Sequence, residues 1–319
     1  MKLKERGKIV GKNIYKILVT GGAGFIGSNL VDMLIKEGHE VVVLDNFSTG
    51  NREYVNKQAR VYDIDVTDSE IFRVFRREKF DVVFHLAGQS DIQKSISEPL
   101  EDGDVNILGT INVAKNCGEY EVKKLVYVST TNVYDKTESV IRENSRINPE
   151  SSNAISNYAA ELYVKQIASE YGFEHCILRC SSVYGVRQSD RGDGGIVKMT
   201  IDKLKKKSVP IMFGEGDLKR DFIFVIDAVT AMVKALDEGV HGVYNIASGV
   251  GVEQEQFLSL IIKKFNSMSN LFKSDMRSGE CYYSNIDISK AQRDLDWSPM
   301  FNIEEGIEIT VQYENQVAK

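Results

Sequence analysis

Eight residues near the start of the chain, Thr20-Gly21-Gly22-Ala23-Gly24-Phe25-Ile26-Gly27, have the composition of a phosphate cradle. Residues 15–21 form a short apolar run that predicts a buried strand. Apolar residues at 30, 31, 34 and 35 predict a helix over 29–37, directly after the glycines. Glycine at such a junction permits a tight turn and lets the backbone approach a pyrophosphate, while the helix start offers free N–H groups and a favourable dipole. Asp45 ends a second β-branched run, 24 residues beyond Gly21. A carboxylate there accepts hydrogen bonds from both ribose hydroxyls of a dinucleotide and repels a 2′-phosphate, so NAD is favoured over NADP. Asn46 and Ser48 follow with no arginine between them, although Arg52 is close. Asp65 and Val66 follow a third strand, where an adenine edge would lie. A strand-end cap is the alternative role for Asp65.

The elements that position these residues alternate. Strand-like runs at 60–66, 81–87 and 123–130 are separated by helical segments near 68–78 and 103–119. Alternation of this kind predicts a parallel sheet with helices on both faces, binding ligands at the carboxyl ends of its strands. A long helix is expected at 153–171, with apolar residues at 155, 159, 162, 163 and 167, before a return to strand at 175–185. The second half is less regular. It holds a basic, glycine-bearing stretch (187–195), the lysines 203, 205, 206 and 207, which read as a solvated helix face, and a strand-like run at 221–227. The expected class is α/β: a Rossmann-type doubly wound parallel sheet with a smaller C-terminal α/β lobe. Residues 1–15 read as an extension, 16–180 as the dinucleotide-binding domain, and 181–319 as the second lobe, with 221–247 returning to the first core.

The chain has 319 residues, 42% hydrophobic and 27% charged, with a formal net charge of −6. That balance is ordinary for a globular protein and argues against broad nucleic-acid or anionic-membrane binding. Cys117, Cys176, Cys180 and Cys281 form no C-x-x-C pair, and no Cys/His cluster has zinc-like spacing, so reduced thiols and no metal are expected. No apolar run reaches the ~18 residues that span a bilayer. The basic start lacks the apolar core of a signal peptide, which makes a cytoplasmic location the expectation.

Taken in order, the motifs resemble the extended short-chain dehydrogenase/reductase family, in particular its UDP-glucose 4-epimerase-like nucleotide-sugar epimerases and dehydratases. The likeness runs from about residue 16 to 312. Besides T-G-G-A-G-F-I-G-S, it rests on L-D-N-F-S-T-G (44–50), H-L-A-G-Q-S (85–90), V-N-I-L-G-T (105–110) and V-Y-V-S-T-T-N-V-Y (126–134). It continues through I-L-R-C-S-S-V-Y-G-V-R-Q (177–188), F-G-E-G-D-L-K-R-D-F-I-F-V-I-D (213–227) and D-I-S-K-A-Q-R-D-L-D-W-S-P (287–299). The resemblance implies a UDP-hexose substrate bound in the C-terminal lobe. It also implies Leu86, Ala87 and Gln89 on the nicotinamide side, and Arg220 and Arg277 on the diphosphate. A guanidinium suits that task because its fork donates two parallel hydrogen bonds. Gly195-Ile196-Val197 falls where the family packs the nucleotide base, and His85 matches a non-catalytic histidine. Residues 103–119 and 153–171 match the helices through which the family forms homodimers.

Such enzymes pass a hydride from a sugar carbon to NAD and alter the resulting keto sugar. The resemblance assigns the hydroxyl proton to the tyrosine of a Tyr-x-x-x-Lys pair, whose spacing places both side chains on one helical face, and a helper hydroxyl to Thr130. Aligned from Glu161 to Arg179, however, the pair falls on Asn153 and Asn157. An amide titrates nowhere near neutrality, so it serves neither as base nor as cation. Tyr158, one position on, is the candidate substitute if the register shifts locally, and Lys165 lies two turns beyond. Ser182 stands where the family often has asparagine, and Val186 where it has proline. Thr131 and Asn132 replace the Asp and Glu that water elimination needs, which argues against a dehydratase. Two readings follow: an epimerase-like enzyme with an altered proton relay, or a binding or regulatory homologue that holds NAD and a nucleotide sugar.

Overall fold

Strands that are apolar on both faces need cover on both faces. A computed structural model, which describes residues 13–135, 139–189, 195–277, 279 and 285–317, shows how this chain supplies it. The strands are β1 (Lys16–Thr20), β2 (Glu40–Asp45), β3 (Arg60–Asp63), β4 (Val82–His85), β5 (Lys124–Thr130), β6 (Glu174–Cys180), β7 (Ser182–Tyr184), β8 (Ile211–Phe213), β9 (Lys219–Phe224), β10 (Gly242–Ile246), β11 (Gly251–Glu253) and β12 (Phe272–Ser274). The helices are α1 (Phe25–Lys36), α2 (Phe72–Glu78), α3 (Ile92–Ser97), α4 (Pro99–Gly103), α5 (Thr110–Glu119), α6 (Ser152–Tyr171), α7 (Gly195–Lys205), α8 (Val225–Lys234), α9 (Gln254–Lys264), α10 (Ser289–Asp294) and α11 (Ile303–Val317).

Seven strands form one parallel sheet in the order β10-β6-β5-β4-β1-β2-β3. Side chains alternate across it. Ile17, Val19 and Phe84 enter one core, while Leu18, Val83 and Leu125 enter the other. The strand order reverses between β1 and β4, which opens a crevice at their carboxyl ends. The smaller lobe carries a three-stranded sheet, β11-β9-β7, and a two-stranded one, β12-β8. The rings of Phe222 and Phe257 stack 3.8 Å apart in its centre.

Four expectations need refinement. The strand at 175–185 breaks at Ser181, so β6 belongs to the large sheet and β7 to the small one. The strand expected at 221–227 ends at Phe224 and pairs with β7 and β11, so residues 221–224 lie outside the large sheet. Return to the first core begins with α8, which packs on α1, and continues with β10. Val225 and Ile226 turn helical because Asp227 sits in the first turn and accepts N–H bonds from Met300 (2.8 Å) and Phe301 (3.1 Å). The segment at 103–119 is α4 and α5 joined by a π-helical stretch, Asp104–Gly109.

The largest departure is on α6. Its apolar stripe would ordinarily face the core, yet Ile155, Leu162 and Tyr163 are 54%, 49% and 45% exposed. The buried face is made of small and polar residues: Asn153, Ala154, Ser156, Ala160, Glu161, Val164, Ile167 and Ala168. Small side chains let α6 lie close to α5. Ser151 caps its start by accepting the Ala154 N–H at 3.1 Å, and Gly172 ends it in the left-handed region at φ +78.

Candidate active site

The crevice is lined first by the loop after β1. Gly21 has φ +69, and a Cβ there would lie 2.7 Å from the Ala87 nitrogen. A Cβ at Gly27 would lie 2.1 Å from the Gly21 carbonyl oxygen, so both glycines are required by close backbone packing. Gly24 caps α1 with no side-chain acceptor. The N–H groups of Phe25, Ile26 and Gly27 therefore have no helical partner of their own, and they stand where a pyrophosphate would sit.

Asp45 closes β2 beside this loop. One carboxylate oxygen accepts the Ala23 N–H at 2.9 Å and the other the Phe47 N–H at 2.8 Å. Burial raises its pKa against the opposing pull of those two bonds. Each oxygen keeps a lone pair for a ribose hydroxyl. Asn46 donates to Asp65 and accepts the Ser48 N–H at 3.0 Å. Asp65 also accepts the Thr67 N–H (2.9 Å) and hydroxyl (2.8 Å); burial pushes its carboxyl up, but these bonds win and hold it below the usual range. Val66 is buried against Gly109. Arg52 stacks over the Phe47 ring at 3.8 Å and pairs with Asp63. The donor set, a bare helix start and an acidic strand end, fits a dinucleotide.

At the ends of β4 and β5 the groups are neutral. His85 is fully buried between the hydroxyls of Thr20 (2.7 Å) and Thr110 (3.0 Å), and burial pushes its pKa down to about 4. The Leu86 N–H donates to the Thr20 carbonyl and the Ala87 N–H to the Thr20 hydroxyl, both at 3.2 Å. Gln89 donates its N–H to Asn106 (2.8 Å) and its amide to Asp102 (3.1 Å). Asn106 in turn donates to the Gln89 carbonyl (3.0 Å) and Ser156 (3.0 Å).

The two asparagines join this network from α6. The Asn153 side-chain amide donates to the Gln89 carbonyl at 2.7 Å, and its backbone N–H to Ser95 at 3.1 Å. Asn157 donates to the Asn153 carbonyl (2.8 Å) and accepts the Tyr127 hydroxyl (3.0 Å). Burial raises the Tyr127 pKa strongly, so that hydroxyl stays protonated. Thr130 accepts the Asn132 N–H at 3.1 Å. Tyr158 is half-buried against a separate cluster containing Val133, Tyr134 and Ala247. Lys165 lies 3.9 Å from Glu161, whose main partner is Arg179 at 2.6 Å. Asn106 lies within a motif legible in the sequence. Tyr127 likewise lies within V-Y-V-S-T-T-N-V-Y, whereas Ser95, Asp102 and Ser156 carry no motif, and only the fold brings them together.

In the smaller lobe, Ser182 is half-buried on β7 and Arg220 is buried on β9. The Arg277 guanidinium lies 3.6 Å over the Phe213 ring with Met199 beside it. Gly195-Ile196-Val197 opens α7, while residues 190–194 and Cys281 lie outside the described residues. Among the described residues no group of His, Cys, Asp and Glu is placed to hold a metal, and no helix is long and apolar enough to cross a membrane.

Residues 17–247 match the model of the NAD dependent epimerase/dehydratase family. The chain is 37% identical over 299 residues to a putative UDP-glucose 4-epimerase of Methanocaldococcus jannaschii, covering 93% of this chain and 97% of that one. It superposes with a TM-score of 0.92 on the UDP-glucose 4-epimerase of Thermotoga maritima, solved with UDP-glucose, at 34% identity, covering 95% of this chain and all of the other. The UDP-glucose 4-epimerase of Thermus thermophilus, solved with NAD, gives 0.89 at 32% identity, covering 94% and 99%. The crevice, the acidic strand end and these matches define a dinucleotide-binding protein of the short-chain dehydrogenase/reductase type. This chain belongs to the NAD-dependent epimerase/dehydratase family. Its cofactor is NAD, and it is like the nucleotide-sugar 4-epimerases.

Proposed function

We propose that this chain is a UDP-hexose 4-epimerase-type protein whose proton relay is altered at Asn153 and Asn157. NAD, when bound, supplies the hydride acceptor for the sugar carbon. Gly21, Gly24, Phe25, Ile26 and Gly27 hold the pyrophosphate; Asp45 holds the adenosine ribose, with Asn46 and Ser48 shaping its turn. Asp65 and Val66 border the adenine, and Leu86, Ala87 and Gln89 border the nicotinamide. Ser182, Arg220 and Arg277 hold the nucleotide sugar, and Thr130 meets its reacting hydroxyl.

One observation carries the altered relay. The side chains at 153 and 157 are amides engaged with the Gln89 carbonyl and the Tyr127 hydroxyl. Neither takes up a proton near neutral pH, and missing general-base help costs typically 10²–10⁴-fold in rate. The second reading, a protein that only binds NAD and a nucleotide sugar, draws support from Tyr158. Its ring packs into the cluster around Tyr134 and Ala247, apart from the asparagine network. Three buried free cysteines, Cys117, Cys176 and Cys180, suit a reducing cytoplasm. The exposed stripe on α6, next to α5, is the surface we assign to a homodimer.

The test is an epimerase assay with UDP-glucose, UDP-galactose and their N-acetyl forms, run beside an Asn153→Tyr/Asn157→Lys double variant. The altered-relay reading expects slow turnover by the native chain and a 10²–10⁴-fold gain in the variant. A silent native chain with an active variant selects the binding-only reading. Silence from both, with NAD still bound, overturns the assignment of these substrates.

A further inference from the structure

We infer that this chain discriminates between the two redox states of its cofactor and holds NAD⁺ more tightly than NADH. The inference rests on the assignment of NAD to the crevice above. It comes from the charge that the nicotinamide end presents.

The two forms share the adenosine, both riboses and the pyrophosphate. They differ by one unit of positive charge on the nicotinamide ring, so contributions from the glycine loop and Asp45 cancel in the ratio of their affinities. In a doubly wound fold the nicotinamide half lies past the switch point, over the ends of β4 and β5. The side chains there are His85, Thr130, Asn153, Asn157 and Tyr127, and none is cationic. His85 sits without charge between two threonine hydroxyls. The one buried carboxylate that joins the network is Asp102, 1% exposed, which accepts the amides of Gln89 (3.1 Å) and Asn106 (3.1 Å). No described cation forms an ion pair with it. The nearby cations are engaged: Arg179 and Lys165 with Glu161, and Lys94 with Glu101. Among the described residues, a ring that gains a positive charge in this surrounding meets the negative field of Asp102, which also reaches Tyr127, and no opposing cation. A carboxylate about 10 Å from a unit charge, at an effective dielectric near 20, changes an affinity roughly tenfold.

The experiment is a calorimetric titration of the full chain, freed of nucleotide, with NAD⁺, NADH and ADP-ribose at one ionic strength. It is repeated with Asn157→Lys, which restores a cation on the same face of α6. The expected result is NAD⁺ binding about tenfold tighter than NADH in the native chain. In the variant that ratio falls several-fold, and ADP-ribose, which lacks the ring, reports the change in affinity that the two forms share. Equal affinities, or tighter NADH, with ADP-ribose still bound, overturn the inference and leave the NAD site standing. Failure to bind all three overturns the site itself. If Asn157→Lys does not fold, the native ratio decides alone.

Discussion

At the scale of single residues, the cage of Thr20 and Thr110 around His85 sets a dependence of stability on pH. Well above pH 6.5 the imidazole is neutral in folded and unfolded chains alike. As pH falls through 6.5 toward 4, the unfolded chain binds a proton that the folded chain refuses, so stability is lost. The loss should be on the order of 2 kcal/mol by pH 5. Urea midpoints of the native chain and His85→Gln at pH 7 and pH 5 check it: the variant should lose much less on acidification. Glycine and aspartate are the single residues most legible in the sequence, because tight turns and strand-end carboxylates admit few other types. The sequence shows that Asn153 and Asn157 do not titrate, but not where their amides go; that depends on Gln89 and Tyr127, which lie 64 and 30 residues away.

Among the elements, the central strands of the large sheet stand out as short apolar runs because they are covered on both faces, whereas the edge strand β10 (Gly242–Ile246) carries no such run and no strand is expected there. Elsewhere the same residue types serve another purpose. Val225 and Ile226 look like strand and form helix, since Asp227 gains partners only from residues 300 and 301. The π-helical stretch at Asp104–Gly109 has no composition of its own. On α6 the apolar stripe splits: Ile155, Leu162 and Tyr163 lie on the outside of the molecule, while Ile167 turns inward. A stripe of apolar residues shows that a face is covered without saying by what. If the cover is a second copy, Leu162→Asp should convert a dimer into a monomer at micromolar concentration while barely moving the unfolding midpoint of the monomer. Sedimentation velocity reads the first effect and thermal unfolding the second. A native chain that sediments as a monomer rejects the assignment.

Over the whole molecule, the large sheet and the smaller lobe do not have separate interiors. One hydrophobic cluster runs from Val19 and Leu30, through Phe224 and Met232, to Phe257 and Val311. The C-terminal segment closes it. The Trp297 indole N–H donates to the Asp227 carbonyl and the Thr230 hydroxyl, both at 3.1 Å, beneath α8. Calorimetry should therefore show one unfolding transition, with calorimetric and van't Hoff enthalpies in agreement. Trp297→Ala should lower its midpoint by the equivalent of about 3–5 kcal/mol. Two resolved transitions would mean that the shared cluster does not couple the lobes.

The pairing of Asn153 with Asn157 also has a meaning in the genetic code. Asparagine codons become tyrosine codons by a change in the first base and lysine codons by a change in the third. Each position is thus one base substitution from the residue that the family's relay would place there. Groups that act as a unit in catalysis contribute little when restored singly. The two nearest routes to a Tyr-x-x-x-Lys pair therefore both pass through a single variant with nothing to select it. The neutral pair is close to the catalytic one in mutational distance and separated from it by a fitness plateau.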